Sequence, residues 1–132
     1  LSIQLSFSMS TNDDNVRLVA MGVYATKAVE ILGTTGQDEL EQNEIMQFAL
    51  IKLVEIVGEP ANCVSEQTRR RYSEIPWTDV IGMRHRLVHD YEAIDLSMVR
   101  ATIVDDLPAL IEDLRAIVGE GVADLAFPRT GP

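Results

Sequence analysis

Arg84 and His89 stand five positions apart in the segment running from Ile75 to Tyr91, and Tyr91 follows two residues later. A guanidinium presents a planar set of donors that suits an oxyanion. An imidazole, with a reference pKa near 6.5, takes or gives a proton near neutrality. Trp77, Val80, Ile81, Leu87, Val88 and Tyr91 form an apolar stripe at helical spacing, and position 84 falls inside it. An arginine there is costly unless an anion or hydrogen-bond acceptors meet it, so it lines a polar cleft, an interface or a buried ion pair. His89 lies roughly 140° around the helix from Arg84 at 3.6 residues per turn, flanking the stripe. Spacing alone fits a structural arginine with a histidine near the helix end equally well.

Other reactive groups carry weaker signals. His85 and His89 have the four-residue spacing of a metal pair, but no third ligand stands out beyond the neighbouring Asp90 and Glu92. The run Arg69-Arg70-Arg71 reads first as a solvated helix end and second as an auxiliary phosphate contact. Trp77 reads as a core or interface anchor. Glu30, Glu55, Glu59 and Asp79 form no recognisable acid–base set, although Glu59 is a candidate partner for a basic side chain. Cys63, the single cysteine, has no internal disulfide partner and reads as a buried structural thiol rather than a reactive nucleophile.

The elements that must position these groups all read as helices. Asp13 and Asp14 suit a helix start, followed by Leu18, Val19, Val23, Ala25, Val29 and Leu32, and Gly33 to Gly36 ends the helix. A second helix is expected from near Asp38 to about Gly58. Its centre, Ile45 to Val57, is apolar on nearly every side, which suits a central place in a bundle or one face in a bundle and another in a dimer. Gly58-Glu59-Pro60 predicts a kink, or a new helix beginning at Pro60. Residues 61–72 read as a polar helix ending in the arginine run. Pro76 opens the next helix, to about Tyr91. The last begins at Asp95 or Ser97 and reaches about Val118, with a kink at Pro108. No alternating strand pattern appears, so the expected fold is all-α, an antiparallel bundle of four to five helices.

With 132 residues, 46% apolar and 24% charged, the chain suits one globular domain. The domain is expected over residues 11–119. Residues 1–10 are expected to be disordered or extraneous to the fold, with Met9 a candidate natural start, and residues 120–132 to form a flexible tail. No segment has the length and apolarity of a membrane span or the pattern of a secretory signal, which predicts a cytoplasmic protein with no membrane partner. The net charge of −10 argues against binding polyanions over the general surface. Its distribution is uneven. Residues 69–100 hold six arginines against five acidic residues, together with both histidines, so a phosphate can still be held in one local cleft.

Arg84-x4-His89-Asp90-Tyr91 resembles the R-x4-H-x-Y signature of the HepT-like branch of the HEPN superfamily. The resemblance extends to Ile75-Pro76-Trp77, Ile81-Gly82-Met83, Leu87-Val88, Ile56-Val57-Gly58-Glu59, Ala61-Asn62 and Asp106-Leu107-Pro108, spanning about residues 15–118. It departs at His85, where relatives commonly carry Asn, and at Pro60, where they usually carry Ala. The resemblance implies a HEPN-like homodimer. It also implies a metal-independent endoribonuclease, without cofactor, whose catalytic Arg84 and His89 meet their symmetry mates at a two-fold axis. His85, Arg86, Arg69, Arg70 and Arg71 are candidate RNA-binding residues. The implied partner is a nucleotidyltransferase-fold (MNT-type) antitoxin that transfers AMP to Tyr91, in a toxin–antitoxin pair. The alternative is a non-catalytic HEPN module that binds such a partner or a nucleotide.

Overall fold

The computed structural model describes the backbone of residues 2–89 and 94–118 and the side chains of residues 13–85 and 94–117. Among the described residues there are helices and no strand. Helix α1 spans Ser2–Leu32, α2 Gln37–Glu41, α3 Glu44–Cys63, α4 Glu66–Arg71, α5 Trp77–His89, α6 Leu96–Ala101 and α7 Leu107–Val118, with a π-helical turn over Thr102–Asp106 joining the last two. Four long rods (α1, α3, α5, and α6 with α7) and two short helices thus replace the four to five expected.

Helix α1 buries Leu18, Met21, Ala25, Ala28 and Leu32, a stripe repeating every three or four residues. Its small alanines let neighbouring backbones come close, and α1 packs on both α3 and α7 while α3 packs on α5. The early part of α1 meets the end of α3, through Asp14 and Ser65, whereas Thr35 just beyond its end accepts from Arg100 Nε at 3.1 Å. Successive rods therefore run antiparallel, as short connections dictate. Gly33 closes α1 in a left-handed conformation (φ +52°) that only glycine adopts without strain. Leu40, Leu50, Val54, Ile75, Ile103, Leu107 and Leu114 complete the core.

Several boundaries differ from expectation for identifiable reasons. Helix α1 begins at Ser2, ahead of Asp13 and Asp14. Asp14 does not cap it but points inward, 6% exposed, and holds the α3–α4 junction. The expected helix from Asp38 to Gly58 is broken at Gln42–Asn43. Asn43 Oδ1 accepts the Met46 amide at 3.0 Å, while the Gln47 side-chain amide donates to the carbonyls of Leu40 and Glu41, so both new ends are satisfied.

Helix α3 then runs through Gly58 and Pro60 to Cys63, and the next helix starts at Glu66 rather than Pro60. Burial of Val57, Gly58 and Ala61 outweighs the one amide that proline lacks near the helix end. Ser65, not proline, supplies the cap, its hydroxyl accepting the Thr68 amide. Pro108 acts one turn upstream. It cannot donate to Val104, and the backbone widens so that the Leu107 amide reaches the Thr102 carbonyl. Asp95 caps α6, as one of the two expected starts, accepting the amides of Ser97 and Met98.

No helix among the described residues is long and apolar enough to cross a membrane. The expectations for the tail 120–132 and for the end of α5 at Tyr91 fall outside the described residues.

Candidate functional site: the seam between α3 and α5

Ile75, Trp77, Val80 and Met83 are buried, fixing which face of α5 turns inward. Trp77 is a core anchor, its indole donating to the Tyr72 carbonyl at 3.1 Å. Arg84 follows Val80 by one turn and so enters the seam where α5 packs on α3. Its side chain is 23% exposed, and Nε stands 3.4 Å from Glu59 Oε2, whose own side chain is 60% exposed. Of the three alternatives open for Arg84, the structure gives an ion pair at the rim of a seam, partly open to solvent. Among the described residues Glu59 is the one group that meets the guanidinium.

Gly58 explains why the arginine sits there. It is buried, and a Cβ at this position would run into Arg84 Cβ and lie 3.1 Å from the Val80 carbonyl oxygen. The two helix backbones approach at this turn because Gly58 carries no side chain. Sequence reasoning took Gly58-Glu59-Pro60 for a bend and so missed this contact. The available signal was a glycine inside an otherwise helical apolar pattern.

The remaining candidates are placed as follows. His85 is exposed on α5 beside Arg84. His89 ends the described part of α5, but its side chain, that of Arg86 and all of Tyr91 lie outside the described residues. Each arginine of the 69–71 run has a local contact. Arg69 Nη2 donates to the carbonyls of Ala61 and Asn62, closing the end of α3. Arg70 pairs with Glu66 at 2.7 Å, and Arg71 lies over the Tyr72 ring at 5.4 Å. Arg69 and Arg70 also border a shallow cavity of about 410 Å³ at the start of α5. Cys63 is exposed at the end of α3, in place of the buried thiol that the sequence suggested.

Among the described residues no three His, Cys, Asp or Glu side chains are grouped to hold a metal ion. A second cavity, about 420 Å³, lies between α5 and α7 and is bordered by Asp79, Asp105, Asp106 and Asp113. Arg84 does not line it, and four carboxylates would repel a phosphate. This cavity therefore does not suit an anion, which leaves Arg84 in the α3–α5 seam as the candidate site.

A family model described as "Ribonuclease HepT-like" matches residues 21–117. A Methanocaldococcus jannaschii protein named "Putative RNase MJ1380" is 24% identical over 109 residues, covering 83% of this chain and 100% of that protein. A Thermococcus cleftensis protein named "Probable ribonuclease HepT" is 36% identical over 64 residues, 48% of this chain and 58% of that protein. No solved structure matches.

Proposed function

The chain belongs to the HepT-like ribonuclease family, and from that premise we propose that it is a metal-independent endoribonuclease acting as the toxin of a toxin–antitoxin pair. The observation that carries this reading is Arg84, a cation on the inward face of α5, 23% exposed, with one carboxylate beside it among the described residues.

Cleavage of RNA through its own 2′-hydroxyl requires a group to accept that proton, a group to protonate the leaving 5′-oxygen, and positive charge for the phosphorane. Arg84 supplies the charge in a planar, charge-assisted contact that strengthens as the phosphorus gains its fifth oxygen. His89 supplies the proton transfers, and His85 and Arg86 assist in holding the strand. The products are a 2′,3′-cyclic phosphate and a free 5′-hydroxyl.

In this reading the working unit is a homodimer, whose two-fold axis brings a second Arg84 and His89 to the same cleft. Support comes from Ile45 and Phe48, 83% and 65% exposed on α3. Their spacing puts them on the same side of the helix as Glu59. Large apolar side chains left uncovered at this spacing suit a protein partner.

A nucleotidyltransferase-fold antitoxin inhibits the enzyme by transferring AMP to Tyr91, which puts bulk and negative charge where RNA phosphate must sit. Induction of the lone chain in cells tests the whole reading. Growth arrest with RNA fragmentation is expected for the wild type and absent for Arg84→Ala and His89→Ala. Equal toxicity of all three, or none, removes the enzyme and leaves the non-catalytic binding module. For the modification, intact mass after co-expression with the antitoxin should show added AMP on the wild type and none on Tyr91→Phe. The same added mass on Tyr91→Phe contradicts the assignment.

A further inference from the structure

We propose that Gly58 and Glu59 form a clamp that orients Arg84 for phosphate, with Glu59 a positioning residue of the site; this rests on the ribonuclease reading above. The two residues act at different depths. Gly58 leaves no room for a Cβ between the helices, so the Arg84 Cα–Cβ bond is fixed against the α3 backbone. Glu59, the next residue, reaches the far end of the same side chain at Nε. An arginine is thereby held at both its root and its head. Without the second contact its long side chain would sample many rotamers, and ordering it would be left to the substrate.

The contact point also decides what is left for a ligand. A guanidinium carries five N–H donors, one on Nε and four on the two terminal nitrogens. Glu59 takes the Nε edge. The terminal nitrogens remain as a parallel fork that matches two phosphate oxygens. Glu55, one turn earlier on the same side of α3, is occupied by Lys52 at 3.7 Å and so does not compete for the arginine. A carboxylate so close to a phosphate site also suggests the opposite role, a competitor that substrate must displace. The two roles predict opposite signs when the carboxylate is removed.

The experiment compares Glu59→Ala and Glu59→Gln, which keeps an acceptor oxygen at the same reach, in the full chain. Two readouts are used: cleavage kinetics on a single-stranded RNA, and the ¹⁵N-resolved Nε–H signal of Arg84 without RNA, assigned with Arg84→Lys. Positioning predicts kcat lowered about tenfold in Glu59→Ala, as for loss of one hydrogen bond to a charged group. KM should change less than kcat, and Glu59→Gln should recover kcat to within about threefold. The Nε–H signal should be sharp and slow to exchange with solvent in wild type and Glu59→Gln, and broadened in Glu59→Ala. A Glu59→Ala protein that cleaves as fast as wild type or faster overturns the proposal. So does an Nε–H signal unchanged in Glu59→Ala, whatever the activity. If the wild type cleaves no RNA while the signal behaves as expected, the ribonuclease reading falls and the orienting contact stands.

Discussion

Asp14 and Arg84 are both charged side chains turned inward to join one helix to another, but their surroundings differ in kind. Asp14 is 6% exposed and accepts the Ser65 amide at 3.1 Å, the Ser65 hydroxyl at 2.6 Å and the Thr68 hydroxyl at 2.7 Å, with Arg17 at 3.5 Å. Its hydrogen-bonding capacity is nearly used up, and nothing is left for a ligand. Arg84 is more exposed and has one acceptor at 3.4 Å among the described residues. A buried charge whose partners are all internal stabilises the fold, whereas a half-buried charge with donors to spare is available to an incoming anion. The contrast separates a structural staple from a candidate site within one small bundle.

Exchanging the effects of the two residues would break that contrast. The largest change is expected for Arg84→Ala, which should lower kcat/KM for RNA at least about 100-fold, as removal of a transition-state charge donor does. Its folding stability should fall by less than about 1 kcal/mol, because the lost ion pair is solvent-exposed on the Glu59 side. Asp14→Ala should do the reverse. Urea unfolding should show a loss of about 3 kcal/mol, since the Ser65 amide and two hydroxyls lose their acceptor. Cleavage per folded molecule should stay at the wild-type level. An Asp14→Ala protein that folds stably but no longer cleaves would erase the distinction.

Acid sharpens the same comparison with a smaller effect. Burial raises the Asp14 carboxyl pKa, but the Ser65 and Thr68 hydroxyls, the Ser65 amide and Arg17 outweigh it and hold it below its ordinary value. A carboxyl depressed in the folded state contributes stability above its unfolded pKa, about 4, and that contribution is lost as pH falls through the folded value. The stability gap between wild type and Asp14→Asn should therefore be full at pH 7 and shrink in strong acid. Asp95 is depressed in the same direction by the Ser97 hydroxyl and the amides of Ser97 and Met98, and should add to acid sensitivity at the start of α6.

The sequence carried the helical content because apolar spacing is a local signal, and Arg84 stood out because it interrupts such a spacing. Glu59 read as a candidate partner for a basic side chain, and it meets Arg84; the partners of the other charges were not legible. Asp14 read as a helix cap, since an aspartate before an apolar stripe has that local meaning. The donors it meets lie some fifty residues away, and no short-range rule reaches them. Gly58-Glu59-Pro60 read as a bend for the same reason. Proline and glycine are breakers in an isolated helix, and only the packing of α3 on α5 shows the glycine to be a point of contact. The break at Gln42–Asn43 was legible in principle from Asn43, a strong cap residue, but was hidden by the apolar run after it. Arg69 to Arg71 stood out as charges in a row, while their separate contacts depend on which carbonyls, carboxylates and rings the fold brings near.

The most direct test of Arg84 as the phosphate-binding group is cleavage of a single-stranded RNA by the purified chain in excess EDTA, beside Arg84→Ala, with the fragment ends read by mass spectrometry. The wild type should release fragments ending in 2′,3′-cyclic phosphate and beginning in 5′-hydroxyl, and Arg84→Ala should leave the RNA intact. Intact RNA with both proteins, or the same fragments from both, would contradict that assignment.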